Sequence, residues 1–160
     1  MKAKSIKGNS PEEIKDALEH GIADGFKPTL AFVFISIKQD IDSVRTLLDQ
    51  QGIQIFGATT GGEFIDGEIG AGTIAILLVD LDPSNFMILL EDYRDKDPES
   101  VAKEMAGKAK EKFKNPSFII SNSFEVSNVN IMGEPIVRAI EDVCGMNTII
   151  WGGNAGDDFI

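Results

Sequence analysis

Two short stretches carry the side chains best suited to chemistry. Residues 57–64 read GATTGGEF and residues 148–160 read TIIWGGNAGDDFI, each following an apolar run. In the first, the hydroxyls of Thr59 and Thr60 donate and accept, Gly61 and Gly62 let a ligand approach the backbone, and Glu63 supplies a negative charge. In the second, Gly152, Gly153, Asn154 and Gly156 repeat the small polar pattern before Asp157 and Asp158. Together these are the parts of a polar pocket for a small zwitterion. Threonine hydroxyls and glycine N–H groups would meet its carboxylate, and Glu63 or Asp157 its ammonium. The carboxylates Glu63, Asp157 and Asp158 also have the chemistry to bind Mg²⁺ or Ca²⁺, or to act as general acid and base. Equally, threonines can simply end a strand and glycines simply make tight turns. The residues alone leave these readings open.

Other chemistries lack their residues. A phosphate loop needs a lysine beside its glycines, and neither stretch has one. The run Gly67-Glu68-Ile69-Gly70-Ala71-Gly72 has the wrong spacing for a dinucleotide fingerprint and leads toward a strand rather than a helix. The only histidine, His20, falls at the end of the first predicted helix, where a cation complements the helix dipole. The single cysteine, Cys144, falls on the inward side of a helix with no histidine near it in sequence, so it reads as core rather than nucleophile. One cysteine permits no internal disulfide, which fits a reducing cytoplasm.

The formal charge of −11 argues against nucleic acid, because neutralising phosphates needs clustered Lys and Arg. Residues 40–92 hold ten acids against Arg45 alone, and residues 115–160 hold six against Arg138 alone. Both polar stretches fall in these acidic segments. A solvated acidic surface explains this, and so does a site favouring cationic or ammonium-bearing ligands. No apolar run approaches the roughly 18 residues of a membrane span, and no targeting segment is evident, so no membrane partner is expected.

The elements that must position these residues alternate along the chain. Ser10-Pro11-Glu12-Glu13 is a capping box with proline at the first turn, and Ile14, Ala17, Leu18 and Ile22 follow on one face of a helix over about 11–23. Leu30–Ile37 is a continuous apolar run, as for a strand covered on both faces. A second helix follows Asp40, with Val44, Leu47 and Leu48 inward and Gly52 at its end, and a strand over 53–58 enters the first polar stretch. Residues 73–81 and 86–91 flank Asp82-Pro83-Ser84-Asn85 and predict an antiparallel hairpin. A third helix opens at Asp97-Pro98 with Val101, Met105, Ala109 and Phe113 inward, and a strand over 117–121 follows. A fourth helix near Pro135 places Ile136, Val137, Ile140 and Val143 inward, and a strand over 148–151 enters the second polar stretch. The predicted fold is α/β, with a mixed sheet of about five to seven strands, an antiparallel hairpin over about 73–91 and four packed helices. If strands 53–58 and 148–152 are parallel neighbours, both polar stretches emerge at one end of the sheet, where open α/β sheets form their crevices.

The stretches FGATTGGEFIDGEI and IIWGGNAGDDF, with the order of elements between them, resemble the N-terminal domain of the FIST family. The resemblance runs from the TLAFVFIS strand onward and covers essentially the chain as one domain, residues 1–160. It implies an intracellular sensory domain of a signal-transduction protein that binds a small ligand, an amino acid or related amine, with no catalysis and no cofactor. The residues it points to are Thr59, Thr60, Gly61, Gly62, Glu63, Gly152, Gly153, Asn154, Gly156 and Asp157. Ala58 stands where cysteine is more often expected, a small change for a turn lined by backbone. Asp40 reads as a helix cap rather than a ligand contact. Haem, described for some members, would need an axial ligand that His20 is poorly placed to supply. The family's architecture continues past Phe159-Ile160, so the resemblance implies a chain truncated at its C-terminal end. An open edge or face there would favour homo-oligomers and would await the missing part of the same protein. Two other functions stay in view: a metal-assisted hydrolase using Glu63 and Asp157, and an interaction module without a small ligand.

Overall fold

The computed structural model describes residues 1–123 and 133–156. By packing, the chain forms two compact units, one of Met1–Ile88 with the segment that begins at Gly156, the other of Leu89–Ala155.

The first unit is a four-stranded sheet with two helices. Its strands are β1 (Lys2–Gly8), β2 (Leu30–Ile35), β3 (Gln54–Thr59) and β6 (Ile74–Asp80), in the order β1-β6-β2-β3. Strand β6 runs antiparallel to both β1 and β2, whereas β2 and β3 are parallel, with Val33 opposite Gly57 and Ile35 opposite Thr59. The sheet is therefore mixed, as expected. Helix α1 (Pro11–Ile22) starts where Ser10 Oγ accepts the Glu13 N–H at 3.3 Å, and Glu13 returns the bond to the Asn9 N–H at 2.8 Å. Helix α2 (Ile41–Gln50) starts at Asp40, which accepts from the Ser43 N–H at 3.0 Å. The apolar stripes of the two helices close over one sheet face. Ile14, Leu18, Val44 and Leu48 meet Ile6, Ala31, Val33, Ile35, Ile74, Ile76 and Leu78 in one buried cluster. On the other face Phe32 and Phe56 pair edge to face at 5.8 Å.

Strand β1 was absent from the expectation because its sequence, KAKSIKG, offers only Ile6 as a buried apolar side chain. Lysines are what protect a sheet edge from further pairing, and β1 is an edge strand. The predicted hairpin over 73–91 does not form. Strand β6 ends at Asp80, a single 3₁₀ turn follows at Pro83–Asn85, and no strand is present over 86–91. The reason is topological, since β6 already has β1 on one side and β2 on the other and offers no free edge to a returning strand. A different hairpin is present instead, β4 (Glu63–Ile65) with β5 (Glu68–Gly70), pairing Glu63 with Gly70 and Phe64 with Ile69.

The second unit holds α3 (Pro98–Lys112), β7 (Phe118–Asn122), α4 (Gly133–Cys144) and β8 (Ile150–Asn154). Strands β7 and β8 are parallel, with Ile120 opposite Gly152. Beneath them Ala102 and Ala106 of α3 pack against Ile136, Ala139 and Ile140 of α4, joined by Phe118, Ile120, Ile150 and Cys144. Of the four residues of α3 expected inward, Val101 and Ala109 are buried, together with Ala102 and Ala106, whereas Met105 and Phe113 are half-buried. All four expected helices are present, while the strands among the described residues divide into one sheet of four and two sheets of two.

Candidate functional site

The parallel unit β2-α2-β3 sets up the site. Both strands end on the same side of the sheet, β2 at Ile35 and β3 at Thr59, and β6 begins there because Ile74 pairs with Ile35. Three bonds hold that end together. The Thr60 N–H donates to Ile35 O and the Ser36 N–H to Thr73 O, each at 3.0 Å, and the Gln39 side chain donates to Gly72 O at 2.7 Å. Crevices of α/β sheets form outside such strand ends.

Glu63 lies in the middle of this edge and is only 3% exposed. One carboxylate oxygen accepts from Thr60 Oγ1 at 2.6 Å. The other accepts from both the N–H and Oγ1 of Thr73, at 2.9 and 2.8 Å. A carboxylate buried without donors would be strongly unfavourable, and three donors satisfy this one. Its immediate surroundings are thus the end of β3, the start of β4 and the approach to β6, which it ties together.

Each expected site residue has a definite place, except one. Thr59 and Thr60 are half-buried at the end of β3, and Gly61 and Gly62 are exposed in the turn before β4. Gly156 belongs to the same unit. Its N–H donates to Thr59 O at 2.8 Å, and a Cβ placed on it would stand 2.9 Å from the Gly61 nitrogen. Gly156 of the second polar stretch therefore lies against the first. Gly152, Gly153 and Asn154 are exposed residues of β8 in the second unit, where β8 pairs with β7 rather than with β3. Asp157 lies outside the described residues, as does Asp158. Among the described residues, no group of three His, Cys, Asp or Glu is arranged to hold a metal ion.

The glycine that opens each stretch has a packing reason. A Cβ on Gly57 would stand 2.4 Å from Val33 O, and one on Gly152 1.9 Å from Ile120 O. Each glycine thus lets the second strand of a parallel pair approach the carbonyl of the first. Gly152 also has φ of 144°, a conformation rarely open to residues with a Cβ.

The remaining singled-out residues are structural. His20 is exposed, with Nδ1 2.7 Å from Asp16 O at the last turn of α1. Cys144 is half-buried against the α3–α4 core. Gly67–Gly72 forms β5 and its flanking turns rather than a cofactor loop. Sequence reasoning missed Thr73, which supplies two of the three donors to Glu63. No local spacing could have revealed it, because the contact depends on β6 returning beside β2.

A mixed α/β domain with a polar turn at a strand end, braced from beneath by a buried carboxylate, is the class these features define. The chain belongs to the FIST N domain family, whose model matches residues 29–160. That family is associated with sensory domains of signal-transduction proteins. Neither a curated protein nor a solved structure matches the chain. Among the described residues, no helix is long and apolar enough to cross a membrane.

Proposed function

We propose that this chain is a small-ligand-binding sensory domain that takes an amino acid or related amine at the turn formed by Thr59, Thr60, Gly61, Gly62 and Gly156. The observation that carries this reading is the Gly156 N–H to Thr59 O bond, which sets one glycine of the second stretch against the strand end of the first. Threonine hydroxyls and glycine N–H groups suit the ligand's carboxylate. The Glu63 charge behind them, and Asp157 one residue beyond Gly156, suit its ammonium. Gly152, Gly153 and Asn154 are proposed contacts on the strength of their sequence pattern. Hydrogen bonds to charged groups contribute roughly 1.5–3 kcal/mol each, so two or three support micromolar to millimolar affinity once the cost of binding is met. A sensor needs no tighter grip than its ligand's working concentration.

A thermal-shift screen of the twenty amino acids and simple diamines tests the proposal. Ligand at 100 times its Kd should add about 2.7 kcal/mol of stability. Glu63→Gln separates charge from structure, because a carboxamide oxygen can still accept from Thr73 while its NH₂ donates to Thr60 Oγ1. That variant should fold normally and bind ammonium-bearing ligands about tenfold more weakly, a loss of about 1.4 kcal/mol. No shift with any compound in the screen overturns the reading.

A further inference from the structure

We infer that Thr73 and Gly70 are positioning residues of the ligand turn, and that with Glu63 they form a latch closing the β4–β5 hairpin onto the sheet. The hairpin is a two-stranded piece separate from the main sheet, with Gly61-Gly62 before it and Ala71-Gly72 after it. Its outward pair, Phe64 and Ile69, is 83% and 90% exposed, so it buries little apolar surface there. Polar bonds must therefore hold it. One is the exposed ion pair between Lys7 and Glu68. Another is the buried Glu63 carboxylate, gripped by Thr60 on one oxygen and twice by Thr73 on the other. Exposed ion pairs are weak, so the buried cluster dominates.

Gly70 is part of the same device. It pairs with Glu63 across the hairpin, and a Cβ placed on it would stand 2.8 Å from both Cγ2 and Oγ1 of Thr73. Its φ is not among the positive values, so alanine is acceptable to the backbone itself. The conflict is with the Thr73 side chain alone. Rotating that side chain away to admit a methyl group would break its hydroxyl bond to Glu63. Opening the latch would free the Thr60 hydroxyl, while its N–H stays bonded to Ile35 O, and so would loosen the turn 59–62, which is how this inference bears on the ligand reading above.

Hydrogen exchange on the intact chain without ligand tests the latch, so its failure is separate from failure of the ligand assignment. Thr73→Val keeps the N–H and the shape but removes the hydroxyl, Thr73→Ser keeps the hydroxyl, and Gly70→Ala displaces it. In Thr73→Val and Gly70→Ala, amides of 63–70 should exchange at least tenfold faster, while those of 31–33 and 76–78 stay as in the parent. Thr73→Ser should restore the parent pattern. Unchanged exchange over 63–70 in Thr73→Val overturns the inference. So does acceleration equal in hairpin and sheet, or a serine variant indistinguishable from valine.

Discussion

At the scale of single residues, the two glycine-rich stretches hold glycines of different purpose. Gly57 and Gly152 face the carbonyls of neighbouring strands, whereas Gly61, Gly62 and Gly156 line the turn. Sequence could pick out the stretches but could not sort their glycines, because the sorting depends on which carbonyl lies across the pair. The same holds for Glu63, whose type marked it as functional but whose burial depends on Thr73, ten residues further on. Gly57→Ala separates the two purposes. Its Cβ would meet backbone rather than a side chain that can turn aside, so β3 must move away from β2. Such overpacking typically costs about 1–3 kcal/mol, which a thermal or urea melt should show as a clear loss of stability. An unchanged midpoint would mean that β3 sits further from β2 than described.

At the scale of elements, helices were legible and several strands were not. Three of the four helices carry local start signals, Ser10 with Pro11, Asp40, and Asp97 with Pro98, and α4 has Pro135 in its first turn. Strand β1 hid behind its lysines, and the hairpin expected over 73–91 was ruled out by neighbours that no local pattern reveals. The β4–β5 hairpin did leave a signal. Asp66-Gly67, with φ of 51° and 84°, is a two-residue turn with both positions left-handed, and a D-G pair between short apolar runs is its signature. That signal overlaps, at Gly67, the run Gly67–Gly72 set aside as a cofactor loop, and the expected elements do not include its turn.

The helix caps also set a pH response. Ser43 donates its hydroxyl and N–H to Asp40 at 2.7 and 3.0 Å, and Ser100 does the same to Asp97 at 2.6 and 2.9 Å. These bonds, side-chain first and then backbone, hold both carboxyls below their ordinary value of 3.8. A carboxyl lowered in the folded state stabilises it above the unfolded value, and that contribution is lost as pH falls through the folded value. The first turns of α2 and α3 should therefore loosen only below about pH 4. Carboxyl resonances followed by NMR should show both aspartates titrating late, and Ser43→Ala or Ser100→Ala should return its own partner to the ordinary range. The exposed Asp92, lowered to about 2 by its bonds from the Arg94 side chain and N–H, should titrate low in the same experiment.

At the scale of the whole molecule, charge and fold class were the most legible features, since both are sums over many residues. The division into two units was not foreseen, because both halves show the same alternation of helix and strand. The fold does show where the acid-rich stretch goes. Most of residues 40–92 falls in the first unit, with the candidate turn, while the compensating lysines of that unit lie largely on β1 and the loops. A field of this kind attracts cations over a range set by salt, about 30 Å at 0.01 M and about 8 Å at 0.15 M ionic strength. Short contacts within the turn would be screened far less. A cationic amine bound there should thus weaken as salt rises from 0.01 to 0.15 M, whereas a neutral zwitterion held by the same turn should change little. Calorimetric titration of arginine beside alanine at the two ionic strengths makes the comparison. If arginine binds and its affinity does not depend on salt, the acidic surface takes no part in ligand selection, and its role is to keep the molecule soluble.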